Sequence, residues 1–313
     1  MSGDIIFHAD DFGANTEISE HILDCYREGA LTSMSVLPNS PYLDACMELF
    51  TPYRGQIHVS IHFNLAEGHC LSEPAKIPWL VDERGMFAIS FFKVLCLSLT
   101  GKRKELKRQI KAEVRAQLER MLPYIDTLRL DSHQHYHMIP VVLECILEAV
   151  HELQQTQAGK KWLSASPEHR AEIEFIRISA EPLTPFLGHP ALYRTYRPIN
   201  LVKNIVLNVL NVMDRKLLAP YRGRSAVFFG ILLSGGMDLA RVGKLLPDFE
   251  RIAEKRGLLL EALCHPGGVE RPDGLMDTEN KDCVAFYTSE GRKKEKEMLL
   301  KIGDCSRRCK FEY

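Results

Sequence analysis

Asp4-Ile5-Ile6-Phe7-His8-Ala9-Asp10-Asp11-Phe12-Gly13 decides how the rest of the sequence is read. Asp4 to Ala9 is a short, β-rich apolar run, and such a run stopped by turn chemistry reads as a buried strand. Asp-Asp before Gly13 and Asn15 is turn and helix-cap chemistry. Glu17 to Glu28, just beyond, is amphipathic at helical spacing. The unit is strand, turn, helix.

Working outward, the unit recurs. Further strands are expected at Leu31 to Leu37, Gln56 to Phe63, Asp126 to Asp131, Glu174 to Ser179, Ala226 to Ile231 and Leu258 to Cys264. Helical patterns separate most of them: Lys104 to Met121, Val141 to Glu152 and Lys244 to Lys255, with Lys293 to Ile302 closing the series. Strand-helix alternation implies a parallel sheet with crossover helices. Seven such units favour closure over an open sheet. The expected fold is α/β: a distorted, TIM-barrel-like (β/α) barrel of about seven strands. The 313 residues suit one such domain. Leu183 to Gly223 is an inserted helical segment, readable as a crossover or as a wall of the site.

Bulk properties narrow the function. The formal net charge of −1 offers no basic excess for nucleic acid. Nine cysteines, an odd number at irregular spacings, fit reduced thiols better than a disulfide framework. Met1 to Gly13 has neither the basic nor the apolar region of a secretory signal, so a cytoplasmic protein is expected. The apolar stretch from Phe87 to Leu99 is interrupted by Lys93 and too short to span a bilayer. It is expected as a flap or a core-packed helix, which disfavours membrane contact but leaves it open. A homodimer is equally left open.

In parallel α/β folds ligands bind at the carboxyl ends of the strands. Those ends carry Asp10 and Asp11, His62 and Asn64, Asp131 with the Ser132-His133-Gln134-His135-Tyr136-His137 run, Arg177 with Glu181, Ser234-Gly235-Gly236, and His265. Alternation along a strand predicts that Asp10 and Asp11 face different ways, so that one can ligate a metal while the turn aims the other at a bound water. Each has a bland reading as a cap or an Asx-turn. His58, Ser60 and His62 share a face turned into the barrel, with His58 the deeper, core residue. One carboxylate and two imidazoles with open positions make a hydrolytic metal site. Asp10 then offers a general base and His265 a general acid. Arg177 could hold Asp10 ionised, or pair structurally with Glu181.

The ordered set HADDFG, His62-x-Asn64-Leu65, DSHQHYH and LCHPG, from Ile5 to Gly267, resembles the YdjC-like carbohydrate deacetylases, a family that includes chitooligosaccharide deacetylases. The resemblance implies a distorted barrel of seven βα units and one divalent metal, zinc or magnesium. Asp11, His62 and His133 would be its ligands, with Asp10 as base and His265 as acid. It implies an N-acetylated carbohydrate substrate and release of acetate. Two imidazoles and one carboxylate suit zinc better than magnesium. A phosphoesterase would need a second ion, to which His135 and His137 could contribute. A glycan-binding protein with a relic site is the non-enzymatic alternative.

Overall fold

The computed structural model describes residues 5–309, with side chains described as far as Gly303; Asp4 and the side chains of Cys305 and Cys309 lie outside. Seven strands form one sheet: β1 (Ile5–Phe12), β2 (Ser33–Val36), β3 (His58–Phe63), β4 (Leu128–Ser132), β5 (Ile173–Ile176), β6 (Ala226–Phe229) and β7 (Leu259–Cys264). Twelve α-helices are described: α1 (Thr16–Arg27), α2 (Leu43–Phe50), α3 (Phe91–Ser98), α4 (Arg103–Met121), α5 (Pro140–Glu152), α6 (Gln157–Ala165), α7 (Thr184–Leu187), α8 (Pro198–Met213), α9 (Arg215–Leu218), α10 (Leu239–Arg256), α11 (Lys281–Tyr287) and α12 (Glu290–Cys309). All seven expected strands and five expected helices are present, most bounds shifting by one to three residues. α10 begins five residues before the expected Lys244, at its Asp238 cap, whose side chain accepts from Arg241 N–H. Asn15 caps α1 in the same way, accepting from Ile18 N–H at 2.8 Å.

Every strand pair is parallel, in the order β5-β4-β3-β2-β1-β7-β6. β5 and β7 are five strand spacings apart, about 24 Å in a flat sheet at roughly 4.8 Å per strand. Yet Arg177, the residue after β5, donates from Nε to Glu261 Oε1 on β7 at 2.8 Å. The sheet is therefore rolled into the expected distorted barrel. Closure is incomplete, because β5 and β6 do not pair. Across that seam Arg224 Nη1 donates to Ile173 O at 2.6 Å, and Ile6, Phe175 and Ala226 pack together.

Apolar faces of the helices cover the outside of the barrel, for example Leu106, Ile110, Val114 and Leu118 of α4. The interior is unusually polar: His8, Asp10, Ser35, Ser60, Asp131, Arg177 and Glu261 are all buried. His58 corrects an expectation. It is exposed at the amino end of β3, because burial on this strand begins only at Ser60. The seven cysteines whose side chains are described are free. Among the described residues no helix is long and apolar enough to cross a membrane.

Candidate metal centre and active site

The end of β1 breaks the alternation that keeps neighbouring side chains apart. The register against β2 shifts between Ala9 and Phe12, a bulge, and Asp11 has φ of 72°. The left-handed conformation costs a non-glycine residue roughly 1–2 kcal/mol, and such strain gathers at functional sites. Its effect is that the turn, and not strand alternation, decides where the two carboxylates point. Asp10 Oδ2 and Asp11 Oδ1 each lie 3.7 Å from His62 Nε2.

His62 is oriented from behind. Its Nδ1 donates to Asp131 Oδ1 at 2.6 Å. A neutral imidazole that donates from Nδ1 carries its lone pair on Nε2, so Nε2 faces the two aspartates as a ligand. Asp131 is itself held by Ser35 Oγ, which donates to its Oδ2, and His8 Nε2 is 2.6 Å from that same Ser35 Oγ. Carboxylate-imidazole pairs of this kind fix ring and tautomer behind bound metals.

His133 completes the cluster. β4 ends at Ser132, and Gln134 and His135 then take positive φ of 49° and 61°, a turn tight enough to separate the three neighbouring histidines. His133 Nδ1 lies 3.2 Å from Asp11 Oδ1, and its Nε2 3.7 Å from Glu67 Oε2. Burial disfavours charge on His133, but Glu67, Asp11 and Asp10 outweigh it and lift the imidazole to about 9. His137 turns away: Nδ1 meets Ser132 Oγ at 2.6 Å and Nε2 meets Arg177 O at 3.1 Å. His135 Nδ1 meets Ser179 Oγ at 3.0 Å. With both ring nitrogens engaged by protein, His137 is not available to a second metal.

The three expected ligands therefore converge: one donor atom each from Asp11, His62 and His133 falls within 4.8 Å of the others. The cluster also tests whether a cation fits. Asp11 Oδ1 and His62 Nε2 are fully buried and make no well-formed hydrogen bond; the nearest donor to Asp11 Oδ1 is His133 Nδ1 at 3.2 Å, itself an expected ligand. A buried acceptor left bare costs about 1–3 kcal/mol, and two lone pairs aimed at one point are what a divalent ion satisfies. Asp11, His62 and His133 can hold a metal.

Asp11's other oxygen accepts from Arg292 Nη1 of α12 at 2.7 Å. Burial would raise this carboxyl, but His133 and Arg292 beside it hold it well below the usual carboxylate range. Asp10 is clamped from both sides. Arg177 Nη1 and Nη2 donate to its Oδ2 and Oδ1, both at 2.9 Å. Burial again works to raise Asp10, yet Arg177 and His62 keep it below its ordinary value. Arg177 thus pairs with Asp10 and Glu261, and not with Glu181. Glu181 instead accepts the backbone N–H groups of Gly230, Ile231 and Leu232.

Above the cluster is a cavity of about 770 Å³, lined among others by Asp10, Glu67, His133, Lys203 and His265. His265 follows β7; its backbone N–H donates to Glu295 Oε2 at 2.6 Å, and its ring packs edge-on against Phe286. The inserted segment supplies Lys203 and Ile199 of α8, while Asn204 of the same helix bonds Glu181 at 2.8 Å. It is both crossover and wall. The stretch from Phe87 also lines it, through Phe87, Phe91 and Phe92. Sequence reading missed Glu67, which accepts from Tyr287 and Cys283, each at 2.6 Å. It also missed the bracing by Asp131, Arg292 and Glu295.

A carbohydrate deacetylase of Thermoanaerobacter pseudethanolicus is 31% identical over 151 residues, 47% of this chain and 57% of that protein. One from Danio rerio is 28% identical over 178 residues, 54% and 55% of the two chains. The matches thus span little more than half the length of these relatives. A crystal structure from Enterococcus faecalis, of a protein named as a candidate for cellobiose-phosphate cleavage, superposes with a TM-score of 0.63 over 98% of this chain and 95% of that one. At 16% identity that likeness shows the fold. Residues 4–302 match the family model described as YdjC-like protein, and the chain belongs to that family.

Proposed function

We propose that this chain is a metal-dependent carbohydrate N-deacetylase, acting as a single catalytic domain. It cleaves the acetamide of an N-acetylated sugar or chitooligosaccharide and releases acetate. The observation that carries this reading is the pair of buried lone pairs on Asp11 Oδ1 and His62 Nε2, beneath a cavity walled by Asp10 and His265.

Asp11, His62 and His133 would hold the ion, and zinc suits two imidazoles and one carboxylate best. When bound, a divalent metal polarises a carbonyl and makes water more acidic. Asp10, kept ionised by Arg177, takes the proton of the attacking water. His265 protonates the departing amine, so the C–N bond breaks to a free amino sugar and acetate. The cavity, about 770 Å³, suits a group of sugar size.

The test is acetate release from N-acetylated mono-, di- and oligosaccharides, with and without a chelator. Asp10→Asn and His265→Ala are each expected to lower turnover roughly 10²–10⁴-fold. Release unaffected by chelation, or full activity in both variants, overturns the assignment. The phosphoesterase reading is disfavoured because His137 has both ring nitrogens engaged, and because the other group able to gather around an ion, His8, Asp10 and Asp131, already takes Arg177 on Asp10 and Ser35 on Asp131.

A further inference from the structure

α8 packs Asn204, Leu207 and Leu210 inward, yet its outer face is apolar as well. Ile199, Val202, Val209 and Val212 are each at least half exposed, with Ile205 and Met213 close to that. Their spacing of three and four residues forms one stripe along the helix, about 24 Å long at 1.5 Å per residue. Large apolar faces of this kind on a folded chain mark a surface that something covers.

Charge identifies what. Residues 183–224 hold seven Arg or Lys and a single acid, Asp214, in a chain whose overall net charge is −1. Asp214 is buried, whereas Arg194, Arg197, Arg215, Lys216 and Arg222 are exposed at the two ends of the stripe. A second segment repeats the chemistry. In α3 and the turn after it, Phe92 and Leu99 are exposed beside Lys93, Lys102 and Lys104, and no acid occurs from residue 91 to 104. Ile199 and Phe92 line the same cavity, so both patches border it.

We propose that the exposed face of α8, together with α3, docks on an anionic lipid surface, turning the mouth of the cavity toward the bilayer. Apolar side chains enter the interface while flanking cations meet the headgroups. A second copy of the chain is the poorer occupant. A two-fold interface sets the same patch against itself, which would bring the two cation-rich ends into mutual repulsion with no acid to answer them. The proposal does not depend on the reaction assigned above, because its test needs no turnover.

The test is flotation of the full chain with vesicles of phosphatidylcholine, with and without phosphatidylglycerol. Binding is expected to the anionic vesicles, weakening as salt is added. Arg215→Gln with Lys216→Gln should lower the partition about fivefold for each cation removed. Val202→Glu with Val209→Glu should abolish flotation. Both positions are exposed and outside the cavity, so circular dichroism and the thermal unfolding midpoint should not change. Failure to float with either vesicle, or undiminished flotation of the Glu variant, overturns the proposal. So does light scattering that shows a dimer split by the Glu variant with no vesicle binding, which would assign the face to a second copy.

Discussion

Arg292 Nη1 donates to Asp11 Oδ2 at 2.7 Å and leaves Oδ1 facing the two imidazoles of His62 and His133. The same guanidinium donates from Nε to Gly267 O at 2.6 Å, tying the loop after β7 to the metal cluster. Arg292→Met should therefore act twice. Stability should fall by about 3–5 kcal/mol, the cost of leaving a buried charge without its partner. Zinc affinity should fall about 10–100-fold, as for other supports of ligands. Thermal unfolding and calorimetric titration read the two effects, and unchanged affinity would show that Arg292 only braces the fold.

Asp131→Asn addresses the other support. The amide can still accept from His62 Nδ1, but its charge is gone. Zinc affinity is expected to drop about 10–100-fold, with the circular dichroism spectrum retained. Affinity equal to wild type would show that the His62 tautomer needs no carboxylate behind it.

The pH dependence of metal uptake has a definite sign. Without metal, His133 is protonated up to about 9, since Glu67, Asp11 and Asp10 overcome the opposing effect of burial. A ligand imidazole must be neutral. Apparent zinc affinity should therefore rise about tenfold per pH unit from neutrality and level off near 9. One proton should be released per ion bound at pH 7. Titrations in buffers of different ionisation enthalpy count it, and zero protons released contradicts a charged His133. The metal-free chain should in turn lose stability as pH rises from the unfolded value near 6.5 through 9, because the folded state holds that proton more tightly.

Arg177→Lys keeps the charge but loses the fork. Asp10 now receives two parallel hydrogen bonds at 2.9 Å, geometry a lysine cannot reproduce. A base displaced by an ångström costs about 10²-fold, so kcat should fall by that order with KM little changed. The acid limb of the kcat profile should move upward as Asp10 loses its strongest stabilising partner. A larger change in KM than in kcat would place Arg177 in substrate binding.

Strand ends were the legible part of the site. Asp10, Asp11, His62 and His133 each follow an apolar run, and the carboxyl-end rule brings them to one rim before any coordinates are known. What periodicity could not show was that Asp10 and Asp11 share one side. That depends on a bulge and a φ of 72° at Asp11, and nothing in the residue types demands either. Glu67, Arg292 and Glu295 stayed hidden for a different reason. They come from loops and a late helix, far along the chain from the atoms they touch, and each has an ordinary surface reading in sequence. His58 was misplaced because strand periodicity fixes which face a side chain takes but not how deep it sits. Arg177 had two readings, and the rolled sheet chose between them by bringing β5 opposite β1 and β7.

The last helix holds a part in the centre that the first strand begins. Arg292 grips Asp11, and Glu295 receives the N–H of His265. A nascent polypeptide carrying every ligand from Asp11 to His133 still lacks both braces until the ribosome has added α12. Weaker metal binding is therefore expected until α12 is in place, and a proteolytic cut ahead of residue 290 should lower zinc affinity while sparing all three ligands.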